Sequence, residues 1–198
     1  MSGAEAKIRH ELSRPQFGDF LRNMLRQPFS VGALAPSSRF LASSMVARIQ
    51  PGSKVIELGA GTGAVTTAIL DAGVHANDLT LIEQNEEFAD ILALRFPEAT
   101  VVRANAVSLR RYLCPDAEPA DFVISSLPLL LFPTRTKIRV LSQVFKSLHD
   151  DGCLYQFTYG GRCPISRSLL RSLGLEASLM KFTPFNLPPA FIYRIARA

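Results

Sequence analysis

The stretch V-I-E-L-G-A-G-T-G-A-V-T, residues 55–66, decides the fold of this chain. An apolar strand runs into a loop that holds Gly59, Gly61 and Gly63, and an apolar helical pattern follows from Val65. A strand, a glycine-rich turn and a helix bring backbone N–H groups and a helix N-terminus close to a nucleotide. The dinucleotide pattern G-x-G-x-x-G/A is also satisfied, with Ala64 in the last place, so the loop alone does not identify the cofactor.

Strands and helices alternate on both sides of this loop. The predicted strands cover residues 54–58, 79–83, 99–103, 121–125 and 153–158, and the predicted helices cover 65–71, 86–95 and 134–149. Such alternation is typical of an α/β fold with a mostly parallel sheet covered on both faces. The tail from 175 to 197 predicts two further strands joined by N-L-P-P-A, and so short a connection requires an antiparallel pair. We therefore predict a seven-stranded Rossmann-like sheet with one antiparallel edge strand.

The first fifty residues predict a helical extension (1–50) ahead of a domain that covers 51–198. Short helices are expected at about 4–12 and 15–27, and a third ends near Ile49. No apolar run approaches the roughly 20 residues that span a bilayer, and the N-terminus has no apolar leader stretch. We therefore expect a cytoplasmic protein.

Charge is unevenly distributed along the chain, although the net charge is only +5. Residues 1–50 carry +4, residues 51–100 carry −6 and residues 101–198 carry +7. An acidic middle suits a cationic ligand, and basic ends suit an anionic surface. The three cysteines and three histidines show no metal-ligand spacing, so we expect neither a metal site nor disulfides.

Carboxylate and amide side chains follow three of the predicted strands. Glu57 lies two residues before Gly59, where it suits a cationic amino-acid ligand better than a pyrophosphate. Glu83 ends the next strand and can accept two ribose hydroxyls. Asn105 and Ala106 follow the third strand, where an amide can read an adenine edge. This combination resembles the class I S-adenosylmethionine-dependent methyltransferases, although the adenine-contacting pair in such enzymes is often Asp-Ala. The resemblance assigns the cofactor to Glu57, Gly59, Ala60, Gly61, Gly63, Glu83, Gln84, Asn105, Ala106 and Ser125.

The segment after the fourth strand, S-S-L-P-L-L-L-F-P at 125–133, should face the methyl donor. Methyltransferases that act on nucleic acid bases commonly carry an Asn/Asp-Pro-Pro-aromatic motif there, and this chain does not. The N-L-P-P at 186–189 lies between the last two strands and suits a tight connection. Five motifs in order, V-G-A-L-A-P-S-S, E-L-G-A-G-T-G, S-S-L-P-L-L, Q-F-T-Y-G and N-L-P-P-A, resemble those of bacterial phospholipid N-methyltransferases, from about Phe17 to Tyr193.

That resemblance implies methyl transfer to the amine of phosphatidylethanolamine, and then to its mono- and dimethylated forms, towards phosphatidylcholine. Ser125, Ser126 and Tyr159 are the candidate catalytic residues, two to orient the amine and one to contact a cationic head group through its ring. Tyr155 and Phe157 share a strand face with Tyr159 and can equally be core residues. The product would be S-adenosylhomocysteine.

Residues 15–27 predict an amphipathic helix. Its apolar stripe falls at i, i+3, i+4, i+7 and i+8, which is typical of a helix packed on its own domain or on a membrane interface. The lipid substrate favours the membrane. The predicted membrane-binding residues are Arg14, Phe17, Phe20, Leu21, Arg22, Met24, Leu25 and Arg26.

The expected partners are a phospholipid substrate and an anionic membrane surface at the inner face of the cytoplasmic membrane, with no nucleic acid, and the expected state is a monomer. Two alternatives stay open. One is an RNA methyltransferase whose basic ends bind phosphate. The other is a membrane-surface module that holds the cofactor without turnover.

Overall fold

A seven-stranded sheet forms the centre of the computed structural model, which describes residues 36–113, 117–159, 161–184 and 189–198. The predicted helices at 4–12 and 15–27, and most of the N-L-P-P connection, lie outside the described residues. The strands are β1 (Val55–Leu58), β2 (Leu79–Glu83), β3 (Thr100–Arg103), β4 (Ala120–Ser125), β5 (Leu148–Thr158), β6 (Leu175–Thr183) and β7 (Ala190–Arg197). The helices are α1 (Pro36–Met45), α2 (Ala64–Asp71), α3 (Glu86–Arg95), α4 (Thr134–Phe145) and α5 (Arg167–Ser172). Short 3-10 turns cover Ala76–Asp78, Ala106–Arg111 and Leu129–Leu131.

The strand order is β3-β2-β1-β4-β5-β7-β6, and β1 to β5 pair in parallel. The predicted Rossmann-like, mostly parallel sheet is confirmed. β7 pairs antiparallel with both β5 and β6, so the reversed strand lies one place inside the edge and β6 forms the edge itself. The chain order reverses between β1 and β4, and ligands of open α/β sheets bind at the carboxyl ends of the strands beside such a reversal.

Apolar side chains cover both faces of the sheet. On one face, which we call the α4 face, Val123 and Leu154 of the sheet pack with Val144 of α4 in a single buried cluster. On the other, the α2 face, Ile124 and Tyr155 belong to a cluster with residues of α1, α2 and α3. Neighbouring residues of β4 and β5 thus alternate between the faces, as strand geometry requires.

Helix α4 ends earlier than its sequence pattern predicted, and the strand after it begins earlier than predicted. α4 ends at Phe145 rather than at 149, and β5 begins at Leu148 rather than at 153. Ala120 pairs with Leu148 and Phe122 with Cys153, so four residues of β5 bulge opposite one residue of β4. Gly152 allows this, because a Cβ there would lie 3.0 Å from the Asp121 carbonyl oxygen. The exposed Asp150 and Asp151 of the bulge mimicked a helix end in the sequence.

Candidate active site

Glu57 is completely buried near the carboxyl end of β1. Thr66 Oγ1, from the first turn of α2, donates a hydrogen bond of 2.6 Å to Glu57 Oε2. The other carboxyl oxygen, Oε1, has no hydrogen-bond partner within the described part of the chain. Burial raises the pKa of Glu57 to about 7; the Thr66 bond lowers it in part, and the nearby Glu83 carboxylate raises it further. A buried acceptor at this place fits a cationic group of a ligand.

The glycine-rich loop after β1 needs glycine for two different reasons. Gly63 has φ +87°, and a Cβ there would lie 2.6 Å from the Phe96 ring, so this glycine is fixed by packing. Gly61 has φ +55° and open space where its Cβ would be, so this glycine is free to let a ligand approach the backbone. The loop between β1 and α2 therefore has a packed end and an open middle.

Glu83 ties the first two loops of the site together. Its Oε2 accepts from the Gly61 N–H at 2.9 Å, and its Oε1 accepts from the Asn85 N–H at 2.8 Å. The side chain is 8% exposed. Each carboxylate oxygen has a second lone pair, so the group can still accept two hydroxyls. Asn85 in turn caps α3 by accepting from the Phe88 N–H.

Asn105 lies two residues beyond the end of β3, the strand that the sequence predicted it to follow. Its Oδ1 accepts from the Val107 N–H at 3.0 Å, and its Nδ2 donates to Gln84 Oε1 at 3.0 Å. The residue is exposed and caps the 3-10 turn of 106–111, in which Ala106 is buried. Gln84 and Asn105 thus link the ends of β2 and β3.

The loop after β4 is held by buried polar groups. The Ser126 N–H donates to the Leu58 carbonyl of β1 at 2.9 Å, and the Leu127 N–H donates to Ser125 Oγ at 3.3 Å. Gln156 of β5 is fully buried and its Nε2 donates to the Leu127 carbonyl at 2.9 Å. Ser125 is 1% exposed, whereas Ser126 is half-buried and the more accessible of the two. Leu127 also packs against Gly59, whose Cβ position lies 3.1 Å from Leu127 Cδ2.

The aromatic residues of β5 share the α2 face, as their alternation predicted. Tyr155 is 3% exposed and stacks on Phe122, which makes it a core residue. Burial raises the pKa of Tyr155 well above its ordinary value. Tyr159 directly follows the strand, is half-buried, and contacts Phe157 edge-on with ring centroids 5.2 Å apart. Tyr159 therefore lies at the same sheet edge as the glycine loop.

Comparison with known proteins identifies the family. No family model matches the sequence. The ornithine lipid N-methyltransferase of Singulisphaera acidiphila is 34% identical over 185 residues, which cover 88% of this chain and 92% of that protein. The chain belongs to this family of lipid N-methyltransferases.

Of two other similarities, one is confined to a short segment and the other concerns the fold. The ribosomal RNA small subunit methyltransferase A of Prosthecochloris aestuarii is 33% identical over 63 residues, which are 32% of this chain and only 23% of that protein. The crystal structure of the magnesium protoporphyrin IX methyltransferase from Synechocystis, with bound S-adenosylmethionine, has a TM-score of 0.61 and 16% identity, covering 100% of this chain and 99% of that one. That similarity shows the class I methyltransferase fold.

The cofactor of this lipid N-methyltransferase is S-adenosylmethionine, and the site fits it. The unpaired Glu57 Oε1 suits the amino group of its methionine part, and the open space at Gly61 admits a ligand to the backbone. Glu83 has acceptor capacity for two ribose hydroxyls. Among the described residues no cluster of three or more His, Cys, Asp or Glu side chains could hold a metal ion, and no helix there is long and apolar enough to cross a membrane.

Two residues that support the site were not identified from the sequence. Thr66 holds Glu57, and Gln156 holds the Leu127 carbonyl. Thr66 follows Glu57 by nine residues in the first turn of the next helix, a place whose side chain faces back to the strand. Gln156 is the one strongly polar side chain within the apolar run of 153–157, and burying such a group requires hydrogen bonds.

Proposed function

We propose that this protein transfers methyl groups from S-adenosylmethionine to the amine of a membrane lipid head group. The observation that carries the proposal is the match to a lipid N-methyltransferase along nearly the whole of both chains. The motif resemblance favours phosphatidylethanolamine and its mono- and dimethylated forms as substrates, with phosphatidylcholine as the end product. The name of the relative favours ornithine lipid as a second candidate. Both candidates present a primary amine at the membrane surface.

The chemistry requires little more than positioning. Bound S-adenosylmethionine supplies an electrophilic methyl group on a sulfonium sulfur. The attacking amine must first lose a proton to water; the N–C bond then forms as the S–C bond breaks, and S-adenosylhomocysteine is the product. Holding the two groups in line lowers the activation barrier, by about 7–11 kcal/mol in well-oriented intramolecular reactions.

The loop after β4 is suited to orient the amine. Ser126 has the accessible hydroxyl, and Gln156 fixes the Leu127 carbonyl and with it the loop backbone. We assign Ser125, whose Oγ accepts from the Leu127 N–H, to the shape of the loop that adjoins the cofactor. Tyr159 offers a ring face to the ammonium that gains charge as methyl groups are added.

Membrane contact belongs to the N-terminal extension in this proposal. The apolar stripe of 15–27 would enter the lipid while Arg14, Arg22 and Arg26 face the phosphate layer. Residues 1–50 would then also act as a lid over the site, on a protein held at the inner face of the cytoplasmic membrane.

The decisive assay supplies labelled S-adenosylmethionine and one acceptor at a time. The acceptors are vesicles with phosphatidylethanolamine, vesicles with ornithine lipid, vesicles of phosphatidylcholine alone, and RNA. Label in either amine lipid supports the proposal, and chromatography of the products counts the methyl groups. Label in RNA alone would replace it with the RNA alternative, and cofactor binding without transfer would leave a binding module.

Deletion of residues 1–27 tests the membrane assignment separately. The expected result is weaker binding to anionic vesicles at unchanged cofactor affinity. A quadruple variant that replaces Phe17, Phe20, Leu21 and Met24 with serine should reproduce the loss in the full-length chain. Unchanged vesicle binding in both proteins would show that the helix serves another purpose.

A further inference from the structure

A groove of about 1010 Å³ lies on the α4 face, apart from the glycine loop. Its walls come from the start of α4, the loop of 161–166, α5, the edge strand β6 and its neighbour β7. Lys137, Arg162, Arg167 and Arg171 line it together with a single carboxylate, Glu176. Its lining therefore carries a net charge of +3.

The arginines of this groove are exposed and available. Arg162, Arg167 and Arg171 have no ion-pair partner among the carboxylates of the described residues. Arginine presents five donors in a planar fork that suits phosphate oxygens, and pairs of such bonds are stronger than neutral hydrogen bonds. Three guanidinium groups around one depression, none of them paired with a carboxylate of the described residues, form a place for an anion.

Lys137 gives the groove a partly buried cation. Its Nζ donates to the Pro164 carbonyl at 2.8 Å, which ties the loop of 161–166 to α4. Burial lowers the pKa of Lys137 below its ordinary value. An ammonium that has lost part of its hydration gains more from an anionic ligand than an exposed one does.

The groove reaches the carboxyl ends of the strands, the side of the sheet that also carries the cofactor loop. α4 follows the carboxyl end of β4, and the loop of 161–166 follows the carboxyl end of β5. Tyr193, which lines the groove, pairs in register with Gln156, the residue that holds the Leu127 carbonyl. An apolar wall completes the groove, where Leu179 is 53% exposed. A basic rim beside an apolar wall fits a lipid better than a nucleic acid, whose backbone offers no apolar chain.

We infer that this groove binds the phosphate of an anionic membrane lipid and seats the carboxyl edge of the sheet on the bilayer. This site goes beyond the proposed methyl transfer, since the lipid it takes need not carry an amine. The occupant is a phospholipid within a bilayer, and the groove thus adds a second membrane contact to that proposed for the N-terminal helix.

The test measures vesicle binding of the full chain with a lipid that cannot be methylated. Vesicles of phosphatidylcholine with or without phosphatidylglycerol are sedimented with the wild type, with R162Q/R167Q, and with R111Q/K146Q. The last variant removes the same charge from exposed residues that do not line the groove. At about 1 kcal/mol for each basic residue near an anionic surface, R162Q/R167Q should weaken binding roughly 30-fold. The control should lose less than about threefold, because charges beyond a Debye length are screened.

Three outcomes would overturn the inference. Equal losses of vesicle affinity in R162Q/R167Q and R111Q/K146Q would show that binding depends on net charge and not on the groove. Undiminished binding of R162Q/R167Q, with an unchanged melting temperature, would show that the groove takes no lipid. If R162Q/R167Q loses affinity for RNA, measured in parallel, but not for vesicles, the groove would be assigned to nucleic acid. Because phosphatidylglycerol offers no primary amine, each result is independent of whether the protein methylates a lipid.

Discussion

The raised pKa of Glu57 leads to a sharp prediction about cofactor binding. In the ligand-free protein this carboxyl group has a pKa of about 7 because it is fully buried, so about half of the molecules carry it protonated at pH 7. A cationic amino group beside the unpaired Oε1 favours the ionised form. Binding of S-adenosylmethionine should therefore expel a proton, and affinity should rise with pH.

The magnitude follows from the titration of one group. If Glu57 is ionised in the complex, the apparent Kd is proportional to one plus the ratio of protonated to ionised Glu57 in the free protein. With a pKa of about 7, this makes the Kd about tenfold larger at pH 6 than at pH 8, with little further change above. Titration calorimetry at pH 7 in buffers of different ionisation enthalpy should detect release of about half a proton.

Variants separate this effect from the titration of the ligand. The amino group of the ligand also titrates, at a higher pH, and contributes equally to every variant. E57Q should bind more weakly and lose the extra pH dependence. T66V should move the dependence to higher pH because it removes the 2.6 Å bond that stabilises the ionised form, whereas T66S should leave it in place. The reasoning is refuted if wild type and E57Q share one pH profile between pH 6 and 8.

Three further predictions concern the same site. E83A should weaken cofactor binding at least about 100-fold, since it removes a charged acceptor for two hydroxyls, each bond being worth roughly 1.5–3 kcal/mol; E86Q, a change at the exposed first residue of α3, is the control, and an unchanged Kd of E83A would contradict the assignment. G63A should lower the free energy of unfolding by roughly 2 kcal/mol or more, because its Cβ meets the Phe96 ring in addition to the cost of the positive φ that both glycines share, whereas G61A, whose Cβ meets open space, should mainly impair cofactor binding; thermal unfolding and binding titrations would be inconsistent with this if the two variants behaved alike. Q156L should lower kcat by about tenfold or more at a nearly unchanged cofactor Kd, because the Leu127 carbonyl loses its donor; steady-state kinetics check the split, and a purely thermal defect with normal kcat would remove Gln156 from the site.

Local patterns in the sequence were sufficient where each element carries its own signal. β2 and α3 begin and end at the predicted residues, 79–83 and 86–95. The signals for these bounds, the apolar residues of the strand and the Asn85 cap of the helix, lie within the elements themselves or directly beside them. For the same reason the glycine loop follows β1, and Glu57 and Glu83 lie near the ends of β1 and β2, at the positions in the fold that the sequence predicted. The parallel order of the strands follows from the length of their crossovers.

Features set by distant contacts could not be read in this way. The bulge at 149–152 depends on Gly152 approaching the backbone of Asp121, and its two aspartates look like the end of a helix in any window of sequence. The short α5 was not predicted at all, since six residues carry little periodicity and its Ser166 cap resembles any loop serine. The position of β7 between β5 and β6 likewise depends on which of the last two strands pairs with β5. A hairpin of β6 and β7 is compatible with either order.

Glu57 and Gln156 show how the sheet prepares both sides of the site. They lie on β1 and β5, on either side of β4 and on opposite faces of the sheet, and both side chains are completely buried. Each has one oxygen without a hydrogen-bond partner in the described part of the chain. A buried acceptor left unpaired costs about 1–3 kcal/mol of folding free energy. The stability of the fold therefore gives no reason to keep such a group. For Glu57 a cationic ligand recovers that free energy on binding. For Gln156 the cost is tolerated because the amide nitrogen donates to the Leu127 carbonyl, and a hydrophobic residue of similar size would leave that carbonyl, and with it the loop after β4, without this bond.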